Sequence, residues 1–124
     1  MIELKQFVII PKKPRMSAGK IASQTAHATF MALEKTNKKL IEEWKNKGMC
    51  VIVLECENTL NLMGISKYLE QWKIPHHLYI DEGITEIPMG TPTALATGVL
   101  KEDQHWIFQT LKLYGSTKPK KKWF

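Results

Sequence analysis

The sequence predicts an α/β protein: a three-layer α/β/α sandwich around a small, mixed, mostly parallel sheet of four strands. Two observations lead to this fold class. Short apolar runs rich in β-branched residues alternate with segments of helical periodicity, in the order β α α β α β β α. The 124 residues, 44% of them hydrophobic, are also enough to bury one sheet-and-helix core. We therefore expect a single domain over residues 1–124.

The first half of the chain supplies two strands and two helices. Residues 4–10 contain the apolar run of residues 7–10, which ends at Pro11 and predicts a buried strand. A helix follows from Ser17, a good N-cap, to about residue 34, and a second helix spans about residues 37–47 before Gly48. The run of residues 49–54 predicts a second buried strand. The face of the first helix that we expect in the core consists of Ile21, Ala22, Thr25, Ala28, Thr29, Ala32 and Leu33.

The second half continues the alternation and ends in a basic segment. Residues 59–72 have an amphipathic stripe that predicts a helix, residues 77–80 and 93–97 predict strands, and residues 102–114 predict a last helix. The segment from residue 115 to 124 is expected to be a flexible basic tail. Its four lysines serve either a polyanionic partner or solubility, and the sequence leaves both open. These lysines are Lys118, Lys120, Lys121 and Lys122.

Composition also limits the cellular setting and the chemistry. The net charge of +6 makes an acidic partner plausible, and no apolar stretch is long enough to cross a bilayer or to serve as a signal peptide. Cys50 and Cys56 flank or lie in one predicted strand, where six residues would hold them about 20 Å apart, which is too far for a disulfide. We therefore expect free thiols and a cytoplasmic protein. No Cys/His spacing resembles a zinc site, and we expect no metal and no cofactor.

Three polar stretches lie where strands end or helices begin, which is where sheets of this class gather functional groups. They are residues 16–27, 81–86 and 90–93. Helical spacing also places Lys20, Gln24, His27 and Met31 within about 60° of one another on the first helix. The step from Ser17 to Lys20 lacks the spacing of a P-loop, so it is a weak indication of phosphate binding.

Together these stretches resemble the type 2 peptidyl-tRNA hydrolase family. Residues 16–28, MSAGKIASQTAHA, are similar to the family's helix-opening motif, and residues 81–87, DEGITEI, followed by residues 90–93, GTPT, are similar to its second signature. The resemblance spans about residues 4–114. It implies a domain of that type, hydrolysis of the ester in peptidyl-tRNA and a homodimer. It further implies an active site of Lys20, Asp81, Thr85 and Thr93, lined by Gln24 and His27.

The chemistry of these residues suits ester hydrolysis. The ammonium of Lys20 can stabilise an oxyanion, and Asp81 can deprotonate water, orient it, or hold Lys20 in place. The threonine hydroxyls can bind substrate or water. Because no Ser-His or Cys-His pairing is evident, we expect direct attack by water. Near the expected entrance to the site, Lys12, Lys13 and Arg15 are candidates for contacts with the tRNA backbone.

Other readings of the same residues stay open at this point. Taken singly, Lys20 is also typical of a solvated surface charge, His27 of a structural histidine, and Asp81 of a turn residue. The family's usual pattern is changed at several positions: Lys13 stands where aspartate is usual, Ala18 replaces lysine, Glu82 replaces alanine and Glu86 replaces glutamine. Two alternatives are therefore kept, a non-catalytic tRNA- or RNA-binding module and a regulatory domain that binds a small ligand. The sequence does not indicate which peptides or tRNAs are preferred.

Overall fold

The computed structural model describes residues 3–83 and 86–117, which form a mixed sheet with helices on both faces. The predicted α/β class is confirmed, but the sheet has five strands rather than four. The strands are β1 (Lys5–Lys13), β2 (Cys50–Asn58), β3 (His76–Ile80), β4 (Pro92–Leu100) and β5 (Lys112–Leu113). The helices are α1 (Ala18–Leu33), α2 (Lys38–Asn46), α3 (Thr59–Gln71) and a 3₁₀ helix (Glu102–Phe108).

The strand order is β3-β4-β1-β2-β5, and among the strands of the described residues β1–β2 is the one parallel pair. The pairs β1–β4, β3–β4 and β2–β5 are antiparallel, so the expectation of a mostly parallel sheet was wrong. Strands β1, β2 and β3 do run in one direction, as helical crossovers between them predict. Strand β4, however, returns from β3 through a loop and inserts between β3 and β1. The C-terminal ends of β1 and β3 therefore lie at the same end of the sheet as the N-terminal end of β4.

The predicted last helix, residues 102–114, was also wrong. The chain forms a 3₁₀ helix over Glu102–Phe108 and then the short strand β5, which pairs with Leu54 and Glu55 of β2. A 3₁₀ helix has three residues per turn, so His105 and Phe108 both point into the core. After this helix, residues 112–113 pair with the open edge of β2, and this pairing prevents the chain from continuing as a helix.

The core is divided by the sheet, because side chains alternate along β1. Phe7 and Ile9 face α3 and the 3₁₀ helix, whereas Val8 and Ile10 face α1. Ala28 and Ala32 of α1 are fully buried there, and their small side chains let the helix approach the sheet closely. A third cluster holds α2 to the sheet through Trp44, Leu4 and Val99. Of the face predicted to be buried on α1, Ala22 is exposed, and this part of the prediction was wrong.

Both cysteines lie in β2 and are free, as predicted. Burial raises the pKa of the Cys56 thiol to about 11. Over residues 3–83 and 86–117 there is no helix with the length and hydropathy needed to cross a membrane.

Candidate active site

The start of α1 is fixed by two capping interactions. Ser17 is the N-cap, and its hydroxyl accepts a hydrogen bond from the backbone N–H of Lys20 at 3.2 Å. The carboxylate of Glu86 accepts a hydrogen bond from the backbone N–H of Ser17. A carboxylate at this end of a helix also interacts favourably with the helix dipole. Lys20 is therefore held in the first turn of α1, and Glu86 has a structural role that the sequence did not suggest.

Lys20 forms an ion pair with Asp81. The Lys20 Nζ lies 2.8 Å from Asp81 Oδ1, and the two side chains are only 10% and 5% exposed. Gln24, one turn further along α1 and also buried, donates a hydrogen bond from Nε2 to the same oxygen at 3.2 Å. A largely desolvated pair of this kind is stable only when each charge keeps its partner. The structure thus brings together three of the residues predicted for the site.

The backbone of Asp81 is fixed as firmly as its side chain. Asp81 follows directly after β3, and its N–H donates to the carbonyl of Thr91 at 2.9 Å. Its own carbonyl accepts from the N–H of Gly90 at 2.6 Å. Gly90 has a φ of 88°, a left-handed conformation that favours glycine. These bonds close the β3–β4 loop at its base and hold Asp81 at the end of the sheet.

Of the two threonines predicted for the site, Thr93 is described by the structure and Thr85 is not. Thr93 is buried and is the extra residue at a register shift in β4, since Tyr79 pairs with Ala94 while Ile80 pairs with Pro92. Its hydroxyl contacts the Tyr79 carbonyl at 3.5 Å, near the base of the same loop. Thr85 lies outside the described residues. The catalytic roles of both threonines stay predictions.

His27 lies one turn beyond Gln24 and stacks on Tyr79. The two ring centroids are 4.7 Å apart and the ring planes differ by 12°. His27 is exposed to solvent, and Tyr79 is half-buried against α1. Sequence reasoning missed Tyr79, although alternation along a strand places it on the same face as Asp81, two residues later.

The basic residues before α1 are not equivalent. Lys12 forms ion pairs with Glu55 at 3.7 Å and Glu57 at 3.1 Å, and these carboxylates raise the pKa of Lys12. Both glutamates belong to β2, which lies on the opposite side of β1 from β3, so Lys12 is directed away from Asp81. Lys13 and Arg15 are exposed in the segment that leads into α1.

The arrangement has the elements of a hydrolytic centre. A nearly dry ammonium can stabilise negative charge that develops on a carbonyl oxygen, and it acts more strongly than it would in bulk water. An adjacent carboxylate can accept a proton from water. Gln24 adds a neutral donor that fixes the orientation of the carboxylate.

Comparison with known proteins gives consistent results. Residues 4–114 match the family model described as Peptidyl-tRNA hydrolase PTH2. The chain is 37% identical over 106 residues to the peptidyl-tRNA hydrolase of Thermococcus onnurineus strain NA1, covering 83% of this chain and 90% of that protein. Identity to the peptidyl-tRNA hydrolase of Haloquadratum walsbyi is 35% over 95 residues, covering 77% and 85%. A Dictyostelium discoideum protein named probable peptidyl-tRNA hydrolase 2 is 32% identical over 116 residues, covering 90% and 55%.

Proposed function

Since this chain belongs to the peptidyl-tRNA hydrolase PTH2 family, we propose that its Lys20–Asp81 pair is the centre of the site that hydrolyses peptidyl-tRNA. The protein is an ester hydrolase that releases free tRNA and peptide from N-substituted aminoacyl-tRNA. Family membership therefore favours the enzyme over the two alternatives kept above. The observation that carries the proposed site is the desolvated Lys20–Asp81 pair, held by Gln24 at the end of the sheet.

In the proposed reaction, Asp81 accepts a proton from a water molecule as the water oxygen adds to the ester carbonyl carbon. Lys20 has three N–H donors, so it can keep its bond to Asp81 and donate another to the oxyanion that forms. Collapse of this intermediate breaks the bond between the carbonyl carbon and the ribose oxygen. The ribose oxygen takes the proton from Asp81, which restores the carboxylate and gives a free tRNA hydroxyl. The peptide leaves as a carboxylic acid, which loses its own proton to solvent. No covalent enzyme intermediate is required.

The remaining predicted residues have supporting roles in this proposal. Thr93 and Thr85 hydrogen-bond the substrate or the attacking water. Lys13 and Arg15 contact the tRNA backbone, which is supported by their exposure beside the start of α1. Lys12 has a smaller part, because Glu55 and Glu57 already neutralise it.

We also propose that the enzyme acts in the cytoplasm and as a homodimer. The first proposal is supported by the two free cysteines, which are typical of a reducing compartment. The second is supported by the family resemblance. Sedimentation velocity of the purified chain checks the dimer, and a monomeric mass at micromolar concentration would contradict it.

The proposed site is tested by Lys20→Ala and Asp81→Asn, with release of tRNA from N-acetyl-aminoacyl-tRNA as the readout. Loss of an oxyanion-stabilising donor typically lowers kcat by about 10²–10³, and we expect a decrease of this size for Lys20→Ala. Asp81→Asn keeps the shape of the side chain but removes the base, and it should also lower kcat strongly.

Lys45→Ala is the matched control, because Lys45 is an exposed lysine on α2 whose ion pair with Glu42 lies within its own helix. Thermal unfolding of each variant shows whether it is folded. Wild-type rates in a folded Lys20→Ala variant would exclude the proposed centre.

A further inference from the structure

We propose that the His27–Tyr79 ring pair is a stacking platform for the terminal nucleobase of the tRNA. The inference rests on the proposed function, because it takes the Lys20–Asp81 pair as the point where the ester is cut. It adds Tyr79 to the substrate-binding residues and gives His27 a defined role. The platform is defined as these two rings, 4.7 Å apart and nearly parallel.

The position of the platform follows from two parallel rows of side chains. On α1, His27 lies seven residues after Lys20, about 10 Å along the helix axis, and on the same stripe. On β3, Tyr79 lies two residues before Asp81, about 7 Å along the chain. The two rows meet twice, as Lys20 and Gln24 with Asp81 and as His27 with Tyr79. The platform is therefore about 7–10 Å from the cluster that would cut the ester, a span that one terminal nucleoside can bridge.

The chemistry of the platform suits a nucleobase. Every base has a π-face, and stacking on an aromatic ring needs no particular pattern of donors and acceptors. His27 is exposed although it stacks on Tyr79, so an accessible imidazole is backed by a half-buried ring. Met31, one turn further along the stripe, adds exposed apolar surface beside it.

A second aromatic pair in the molecule provides the contrast. Trp72 and Trp106 are exposed on the opposite face of the sheet, but their rings meet edge to face, at 87° and 5.7 Å. Trp72 directly follows α3 and Trp106 lies on the 3₁₀ helix, and both elements pack on the face of the sheet opposite to α1. Trp106→Ala therefore removes an exposed aromatic ring of similar kind without touching the proposed platform.

The experiment compares two substrates: N-acetyl-aminoacyl-tRNA with an intact 3′-terminal adenosine, and the same molecule with an abasic ribose at that position. For the wild type we expect kcat/KM on the intact substrate to be about 5- to 150-fold higher, from the usual contribution of one stacked base. His27→Ala should remove most of this preference through KM. His27→Phe, which keeps an aromatic face, should retain it, and Trp106→Ala should leave it unchanged.

The dissociation constant of uncharged tRNA, either intact or abasic at the 3′ end, measures the same stacking contact in the absence of turnover. Equal kcat/KM and equal binding of both forms by the wild type would overturn the platform, and this comparison does not depend on whether a variant folds. An equal loss on both substrates in a folded His27→Ala variant would overturn it as well. Failure of the Lys20–Asp81 centre is distinguishable, because Lys20→Ala would then keep its rate on both substrates.

Discussion

The carboxylate of Asp81 receives hydrogen bonds from two residues of α1, while its backbone is bonded to Thr91 and Gly90. The same residue thus joins the first helix to the base of the β3–β4 loop. Lys20 and Gln24 reach it from successive turns, so a rotation of α1 would break both bonds together. The candidate site is therefore positioned by a helix on one side and by the base of a strand loop on the other, as the proposed chemistry would require.

A buried histidine links the stability of the fold to pH. Burial lowers the pKa of His105 below its ordinary value of 6.5, and the hydrogen bond from its Nε2 to the Leu100 carbonyl offsets part of this effect. The unfolded chain therefore takes up a proton more readily than the folded one. The contribution to stability is complete above pH 6.5 and is lost as the pH falls through the lowered pKa.

We expect the free energy of unfolding to decrease between pH 7.5 and pH 5, and to decrease less in His105→Gln. Urea denaturation at the two pH values measures this difference. Burial and then Lys35 also lower the pKa of His77, which accounts for a remaining decrease in the variant. An identical pH dependence in wild type and variant would show that His105 has no part in it.

The sequence was informative about some residues of the site and not about others. Lys20, Gln24 and Asp81 were predicted from the family's motifs, and helical spacing already placed the first two on one stripe. Their contact across 61 residues of chain depends on the strand order, which local patterns do not contain. The ion pairs of Lys12 and the stacking of Tyr79 were missed for the same reason, since their partners belong to other elements.

Among the elements, those with local end signals were predicted best. α1 begins after the predicted cap Ser17, and α2 is followed by Gly48 with a φ of 99°. Strand ends were placed less well: β2 extends to Asn58 and β4 to Leu100, because pairing with β1 prolongs both. The 3₁₀ helix and β5 were missed because edge pairing with β2 is a tertiary effect.

Close packing between β4 and the α1–α2 connection gives a prediction about these elements. A Cβ on Gly98 would collide with the Thr36 hydroxyl, and the N–H of Gly98 donates to the Pro75 carbonyl at 2.9 Å. We expect Gly98→Ala to lower the free energy of unfolding by about 1–3 kcal/mol, as overpacking usually does. Thr36→Ala should restore much of this loss in the double variant.

Urea denaturation of the four proteins forms a double-mutant cycle for this contact. The single variant Thr36→Ala serves as the control for losing the hydroxyl's own bond to the Ala32 carbonyl. If the changes in the free energy of unfolding caused by the two substitutions are additive, the Thr36 hydroxyl is not the group that collides with the added Cβ.

At the scale of the whole molecule, the net charge of +6 should govern affinity for tRNA. Replacing Lys118, Lys120, Lys121 and Lys122, all outside the described residues, by glutamine lowers the net charge to +2. Each lost phosphate contact should reduce the slope of log K against log salt concentration by about 0.9. For the four-lysine variant we therefore expect the slope of log K against log salt concentration to be smaller in magnitude by up to roughly 4. Titration of tRNA binding at several salt concentrations measures this slope.

Lys12→Gln is the matched control for this experiment, because Lys12 is already paired with two glutamates and should change the slope little. An unchanged slope in the four-lysine variant would show that the tail does not contact tRNA. A salt-independent affinity in the wild type would contradict the electrostatic contribution as a whole.

The strand order also determines when the protein can first be active during its synthesis. Within the part of the sheet that the structure describes, β3 has β4 as its neighbour, and β4 alone joins it to β1. A nascent chain that ends at Asp81 carries Lys20, Gln24 and Asp81, yet it lacks the strand that docks them on one another. Hydrolytic activity should therefore arise only after about residue 100 has left the ribosomal exit tunnel, and fragments divided within the β3–β4 loop should be active only when both halves are combined.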